Sequence, residues 1–262
     1  MYLAFVRSAI QTRLAYRGQV WTGLIYRLIQ IFAKIAIWTS IYAGAPAVNG
    51  VSLPQMVTYA IVSGTILDAW LYPDLIRNID RALKSGDIAI YLLKPLRYPA
   101  YLFAIEFGNF AYEVVVIMVP TIAIVGLFNA ILPPASLADG VLFLAYWALS
   151  FLIVFLIATL IGLTAFWLMT AFSLEWLLQG ILTIFSGSFI PFWFFPEPLG
   201  TIARHLPFAW IGYYPTAVYL GQIPLGDAVL YLFYGALWAA ALMVGVALLW
   251  GRASLRLTVQ GG

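Results

Sequence analysis

DGVLFLAYWALSFLIVFLIATLIGLTAFWL, residues 139–168, contains one charged residue, the Asp139 at its start. A helix that crosses the hydrocarbon core of a bilayer needs about 20 consecutive, mostly apolar residues. This stretch exceeds that length. It therefore predicts a transmembrane helix that is long enough to tilt or to protrude beyond the hydrocarbon.

The rest of the chain has a similar composition. Of its 262 residues, 64% are hydrophobic and 9% are charged, whereas soluble domains carry roughly a quarter charged residues. The polar connections between the apolar blocks are short, so no stretch is left that could fold as a separate soluble domain. We expect an all-α polytopic membrane protein with a single transmembrane domain over residues 1–262.

Six apolar blocks are long enough to span a bilayer. Gly187 and Pro191 interrupt the fifth of them. Because an even number of spans returns the chain to its starting side, we expect both termini on one side of the membrane. The predicted spans are residues 20–43, 53–72, 100–128, 139–168, 174–192 and 227–250.

The basic residues between the spans indicate which side that is. Cytoplasmic segments carry an excess of lysine and arginine, and a cytoplasmic N-terminus leaves only Arg204 among the outer connections. We therefore expect both termini in the cytoplasm. The basic residues that this orientation places inside are Arg7, Arg13, Arg17, Arg77, Arg81, Lys84, Lys94, Arg97, Arg252 and Arg256.

Residues 1–18 differ from a cleaved signal peptide, because three arginines interrupt their apolar residues. Apolar side chains recur there at helical spacing, which predicts an amphipathic helix on the surface of an anionic leaflet. A frayed cytosolic tail is the alternative. The apolar positions are Leu3, Val6, Ile10 and Leu14.

Two connections are long enough to have functions of their own. The cytoplasmic connection covers residues 73–99, and the outer one covers residues 191–226. The outer connection is rich in proline and aromatic residues, so it cannot form one straight helix. We expect broken, re-entrant helices after the fifth span, with aromatic rings at headgroup level. The residues that would break them are Gly187, Pro191, Pro196, Pro207 and Pro215.

The order of these features resembles a known family. A cytoplasmic GDIAIYLLKPL at residues 86–96 follows the second span, and the fifth span leads into SGSFIPFWFFPEPL and LPFAWIGYYPTAVYLG. Together with six spans and an amphipathic start, these segments resemble the permease subunits of ABC-2 type ATP-binding-cassette exporters. The bacterial branch that pairs two permeases with one ATPase is the most similar, and the resemblance covers nearly the whole chain.

The resemblance implies a permease in the bacterial inner (plasma) membrane, with two copies of a separate ATPase subunit and a second permease, identical or related. The chain itself has no GxxxxGK[ST] sequence, so we expect it not to be an enzyme and to hold no cofactor. ATP and Mg²⁺ would bind to the partner ATPase. The implied cargo is amphipathic or hydrophobic and is exported, although import stays open.

In the family, the loop after the second span binds the ATPase. A helix that transmits motion must present a charged and apolar surface to its partner, and residues 77–96 would do so here. A solvated basic loop that only fixes topology is the alternative. The implied coupling residues are Arg77, Arg81, Lys84, Gly86, Asp87, Leu93, Lys94 and Pro95.

Charged residues inside two of the spans suggest a charge ladder. Such residues cost about 2.5–3.5 kcal/mol each on insertion scales and usually face protein partners. The first span carries Arg27, Gln30 and Lys34, and the third carries Glu106, Asn109 and Glu113 at the same spacing. Assuming that these spans are adjacent, we predict that Arg27 pairs with Glu106 and that Lys34 pairs with Glu113.

Other partners and other roles are possible for the charged residues of the ladder. Asp68, near the inner end of the second span, competes as a partner for Arg27, and the pairs could also form between subunits. A buried pair can fix helix register without any transport role. Alternatively, one pair opens to admit a charged substrate or forms part of a gate.

Other kinds of site find little support. The chain has no cysteine, and its one histidine, His205, has no second histidine or carboxylate cluster near it in sequence, so we expect no metal site. Glu175 and Glu197 are isolated in sequence, which leaves paired-carboxylate catalysis without candidates. The net charge of +3 is small, so we expect no nucleic-acid partner. A stand-alone ion-coupled transporter, an intramembrane enzyme and a non-transporting scaffold remain as alternative functions.

Overall fold

The protein is almost entirely helical. The computed structural model describes residues 2–15, 17–92, 97–168 and 170–260. Its first half contains α1 (Tyr2–Ala15), α2 (Arg17–Ile41), β1 (Ala47–Val48), β2 (Val51–Ser52), α3 (Leu53–Asp68), α4 (Tyr72–Lys84), α5 (Asp87–Leu92), α6 (Tyr98–Tyr112), a π-helical segment (Glu113–Met118) and α7 (Val119–Phe128). Its second half contains α8 (Leu137–Leu168), α9 (Phe172–Phe185), α10 (Leu199–His205), α11 (Tyr213–Tyr219), α12 (Leu225–Gln260) and 3₁₀ turns at Phe192–Phe194 and Pro207–Trp210.

Four helical stretches are long and apolar enough to cross a membrane: Val20–Ile41, Tyr98–Phe128, Leu137–Leu168 and Leu225–Leu255. They correspond to the first, third, fourth and sixth predicted spans and confirm a multi-pass membrane protein. The helices at the second and fifth positions, α3 and α9, have 16 and 14 residues. They are about 24 and 21 Å long, shorter than a typical hydrocarbon core, so a count of six spans stays a prediction.

Helix α8 lies at the centre of the packing and contacts α4, α11 and α12. Its second half is apolar on nearly every side and is almost continuously buried from Ile153 to Leu163. One small residue allows α4 to approach closely, because a Cβ atom on Gly162 would lie 2.6 Å from Cδ1 of Ile79. The connection at residues 73–99 is thus packed directly onto the central helix.

Helix α1 lies against α6. A Cβ atom on Gly108 would lie 2.6 Å from the carbonyl oxygen of Val6 and 2.8 Å from Cβ of Ala9, so glycine is what lets the two backbones meet. Of the predicted apolar positions, Leu3 and Leu14 are exposed on the surface of the protein. The interfacial role of this helix stays a prediction.

The third predicted span is one helix with an irregular middle. The π-helical segment Glu113–Met118 joins α6 to α7, and Pro120 follows it at the start of α7. Proline cannot donate the backbone hydrogen bond of a regular helix and clashes with the preceding turn, and a π-bulge is one way to relieve that conflict. Helix α2 contacts both this segment and α7, so the first and third spans are adjacent.

A short hairpin connects α2 to α3. β1 and β2 pair antiparallel around Asn49 and Gly50, which both have positive φ angles. Asn-Gly is the preferred pair for this kind of two-residue turn. Ser52 and Gln55 then form a capping box at the start of α3, which fixes where that helix begins.

Candidate functional site

Helix α4 is the amphipathic element of the connection at residues 73–99. Leu75, Ile76 and Ile79 form its buried face, which packs on α8. Its opposite face carries the exposed Asn78 and Arg81. Gly86 follows the helix with a φ of +78°, and a left-handed glycine after the last turn is a common way to end a helix.

An ion pair ties α4 to the start of α9. Arg77 donates from Nε and Nη2 to the two carboxylate oxygens of Glu175, over 2.9 and 2.5 Å. The carboxylate is 4% exposed, and its hydrogen bonds raise the pKa of the Arg77 guanidinium. Asp80 reinforces the junction by accepting from the backbone N–H of Ala171 over 3.3 Å. Glu175, which is isolated in sequence, thus has an arginine partner on another helix.

A second polar connection ties α4 to α1 and α6. Arg13 of α1 donates to Asp74 of α4 over 2.7 Å and to Oδ1 of Asn109 over 3.4 Å. Asn109 in turn donates to Glu106 over 3.1 Å. Four side chains from three helices thus form one continuous chain of hydrogen bonds.

The implied coupling residues are in different situations. Arg77 belongs to the pair with Glu175, and Lys84 pairs with Asp80 over 2.6 Å on the same helix. Arg81 is exposed and contacts only Asn78, over 3.3 Å, in the part of the chain that the structure describes. Asp87 begins α5 and accepts from Ser85 Oγ over 2.6 Å. The remaining residues lie outside the described ranges: Leu93, Lys94 and Pro95.

The predicted register of the charge ladder is wrong. Arg27 donates to Glu113 over 2.9 Å, and both side chains are largely shielded. Glu106 is two turns away from that contact and bonds to Asn109 instead. The prediction assumed that the first and third spans start at the same depth. In the structure α1 packs along α6 as far as Gly108 and Asn109, so α2 packs further along the third span.

Lys34 does not pair with Glu113 either. Its Nζ atom lies over α3, where a Cβ atom on Gly64 would be 3.1 Å away. Asp68 lies one turn further along α3, within electrostatic range of both Lys34 and Arg27. No ion pair shorter than 4.0 Å joins these three side chains within the described residues. Gln30 is exposed on the surface of α2.

The outer segment is broken where its glycines and prolines predicted. Gly187 has a φ of +72° just after α9. Pro191 precedes one 3₁₀ turn, and Pro207 begins the other. Pro196 lies shortly before α10, and Pro215 lies in the first turn of α11. A Cβ atom on Gly187 would lie 2.7 Å from Cβ of Tyr213. This contact draws the end of α9 against α11.

His205 has a structural position at the end of α10. Its Nδ1 atom is 2.8 Å from the carbonyl oxygen of Thr201, and Trp238 donates to the carbonyl oxygen of His205 over 3.1 Å. No group of three potential metal-binding side chains occurs among the described residues. Glu197 accepts from Thr201 over 2.5 Å and lies 3.7 Å from Arg204.

Comparison with protein families decides what kind of membrane protein this is. Residues 28–261 match a family model described as "ABC-2 family transporter protein". The chain belongs to the ABC-2 transporter family. The match confirms the resemblance seen in the sequence, and it makes the chain a membrane permease with a role in transport. No curated protein matches it.

The family match covers α3 to α12 in full and begins at Leu28, within α2. The sequence did not reveal that two residues of this ABC-2 permease, Arg13 and Asp74, join its helices. A signal for Arg13 existed, because it shares a helical stripe with Val6 and Ala9. Nothing local indicated that Asp74 would face α1.

Proposed function

We propose that this ABC-2 permease is the membrane-spanning subunit of an ATP-driven exporter of amphipathic or hydrophobic molecules in a bacterial inner membrane. Both termini lie in the cytoplasm. A separate ATP-binding-cassette ATPase, present in two copies, binds ATP and Mg²⁺ and docks on α4 and α5. A second permease, identical or related, completes the path, because one chain supplies half of the helices that such a path needs.

The observation that carries this proposal is the construction of α4. It presents exposed polar residues on one face, Asn78 and Arg81, and is joined by its other side chains to three different parts of the membrane domain. Ile79 packs against Gly162 of α8, Arg77 holds α9 and Asp74 holds α1. A helix that only fixed topology would need none of these connections.

These connections suggest how movement would pass into the membrane. A docked ATPase that displaces α4 must also displace the start of α9 or break the ion pair between Arg77 and Glu175. The packing on Gly162 transmits the same displacement to α8, since closely packed elements shift as units between discrete arrangements. The ATPase would thereby change which side of the membrane the permease opens toward.

Contacts of the outer segment support the proposal that it forms re-entrant helices. Ser63 donates to the carbonyl oxygen of Ser188 over 3.2 Å, about 15 Å along α3 from its first residue at about 1.5 Å per residue. Trp238 contacts His205 about 20 Å along α12 from Leu225. Contacts this far from the outer helix ends fit a segment that returns partway into the membrane. Irregular backbone is tolerated at such depth where protein covers it.

The experiment is affinity purification of the tagged permease from its native host, with mass spectrometry of bound proteins. We expect an ATPase with a GxxxxGK[ST] sequence, and we expect Arg81→Glu to lower its recovery about tenfold, since like charges across an interface are strongly unfavourable. Arg252→Glu, which reverses another exposed cytoplasmic cation, should leave recovery unchanged. Ion-driven transport by the purified chain alone would instead support a stand-alone transporter.

A further inference from the structure

Glu106 lies between two cavities on the inner side of the protein. One cavity of about 200 Å³ is bounded by α4, α5 and α6, and Glu106 and Leu75 are among its lining residues. A second space of about 20 Å³ lies behind these two residues, with Trp70, Phe110 and Phe151 among its walls. We call the larger space the Glu106 cavity. Its other lining residues include Asn78, Tyr91, Tyr98 and Tyr101.

Glu106 differs from the other buried carboxylates that the structure describes. Glu113 and Glu175 each pair with an arginine, and Asp139 exchanges hydrogen bonds with Ser136 at the start of α8. Glu106 is 6% exposed and accepts one hydrogen bond, from the neutral amide of Asn109. A buried carboxylate normally has a cationic partner.

Arg13, a basic residue in the neighbourhood of Glu106, is already occupied. Arg13 donates to Asp74 and to Asn109, so its guanidinium reaches Glu106 only through the amide. Behind the carboxylate, the indole N–H of Trp70 has no hydrogen-bond partner and the side chain is 4% exposed. Two polar groups therefore line a mostly aromatic space without a full set of partners.

The remaining walls suit an organic cation. Three tyrosine rings line the outer part of the Glu106 cavity, with Tyr91 4.8 Å from Tyr101 and 5.3 Å from Tyr98 between ring centroids. The faces of aromatic rings attract ammonium groups, and the carboxylate supplies the opposite charge. A metal ion fits poorly, because no group of three His, Cys, Asp or Glu side chains occurs among the described residues.

We propose that the Glu106 cavity binds an organic ammonium ion, with the charged group against Glu106 and an apolar substituent against the tyrosines. The assignment of this ion as cargo rests on the proposed transport function. Leu75 and Asn78 of α4 form part of the cavity wall. A displacement of α4 by an ATPase would therefore change the shape of the site that holds the cation.

Binding of benzyltrimethylammonium to the full-length permease in lipid nanodiscs, followed by saturation-transfer NMR, tests the inference. We expect saturable binding, which Glu106→Gln weakens about tenfold or more and Glu106→Asp largely retains. Glu197→Gln removes the same charge from an exposed outer site and should change nothing. Benzenesulfonate, an aromatic anion, should not bind. Equal binding of cation and anion, or full binding by Glu106→Gln, would overturn the proposal.

A measurement on the unmutated protein covers the case in which Glu106→Gln fails to fold. Dicyclohexylcarbodiimide modifies buried carboxyl groups, and mass spectrometry locates the modified residue. Benzyltrimethylammonium should slow modification of Glu106, and benzenesulfonate should not; no protection by the cation would contradict the proposal. Neither assay needs an ATPase. Cation binding by a permease that co-purifies with no ATPase would therefore contradict the proposed function and leave this inference standing.

Discussion

The parts of this permease that we assign to the inner and outer sides of the membrane hold their irregular segments in different ways. On the inner side, α4 is tied to its neighbours by ion pairs between long side chains, such as Arg13 with Asp74 and Arg77 with Glu175. On the outer side, hydroxyl groups from regular helices donate to backbone carbonyls in the broken segment or next to it. These bonds join Tyr59 to Gly187, Ser63 to Ser188, Ser150 to Ile211 and Tyr146 to Ala228, at the start of α12.

The two kinds of contact differ because water reaches the ion pairs of α4 more easily than the carbonyl groups of the outer segment. Breaks in a helix leave carbonyl groups without partners, and away from water each must be satisfied inside the protein. Short hydroxyl side chains do so at one fixed geometry. The ion pairs of α4 are partly exposed, and Arg77 is 53% exposed, so water can replace Glu175 as the partner of Arg77. The outer segment is built to hold one arrangement, whereas α4 can exchange partners when it moves.

The largest expected effect comes from disturbing the outer segment. Gly187→Ala places a Cβ atom 2.7 Å from Cβ of Tyr213 at a φ of +72°. Left-handed strain and overpacking together predict a loss of about 3 kcal/mol in the free energy of unfolding. The thermal unfolding midpoint of purified protein measures it. Gly180→Ala, which meets no atom within 4 Å, is the control, and equal midpoints for both variants would show that the segment adapts.

On the inner side, removing one partner of an ion pair should cost less. Arg77→Ala leaves the carboxylate of Glu175 buried without its cation, which we expect to cost about 2 kcal/mol after allowance for the exposure of Arg77. The double variant Arg77→Ala with Glu175→Gln should recover most of that stability without restoring ATP-driven transport. Recovery of transport as well would mean that the pair serves stability alone.

The pair between α1 and α4 should contribute still less. Side chains of Arg13 and Asp74 are 23% and 44% exposed, and partly exposed pairs are worth about 0.5–1 kcal/mol. Arg13→Gln should lower the unfolding midpoint slightly at low salt and hardly at all at high salt, because salt screens such pairs. The charge exchange Arg13→Asp with Asp74→Arg should restore it. A loss independent of salt would point to packing against Asn109 instead.

The smallest effect concerns an exposed carboxylate of the outer segment. Hydrogen bonds from Thr201 hold the pKa of Glu197 below its ordinary value of 4.5, and Arg204 adds to this. A lowered folded-state pKa contributes stability above pH 4.5, which is lost as the pH falls through the lowered value. Carboxyl NMR titration should find the midpoint below 4.5, and Thr201→Val should raise it. A midpoint unchanged by that variant would remove Thr201 as the cause.

Much of the architecture could be predicted from the sequence, because the length of an apolar segment is a property of contiguous residues. The four long helices, the breaks after Gly187 and the amphipathic helix at residues 73–84 follow from composition, glycine and proline. The Asn49–Gly50 hairpin carries a clear turn signal. Each of these features depends on residues that are neighbours in the chain.

The partners of the charged residues could not be predicted in the same way. Equal spacing in two spans suggested that Arg27 meets Glu106, but spacing does not specify how deeply each helix starts. The close contact of α1 with Gly108 shifts the register by two turns, and that contact depends on three-dimensional packing. Glu175 was missed for the same reason, since its partner lies on another helix.

The account depends most on movement of α4 relative to a static outer segment. The chain has no native cysteine, so spin labels can be placed at will on Arg81→Cys with Arg252→Cys inside, and on Ala47→Cys with Asp227→Cys outside. Distances between each pair should be measured by electron–electron double resonance in the complex with its ATPase. We predict that ATP changes the inner distance by a few ångströms and leaves the outer one unchanged. An inner distance that stays constant while ATP-driven transport proceeds would contradict the account.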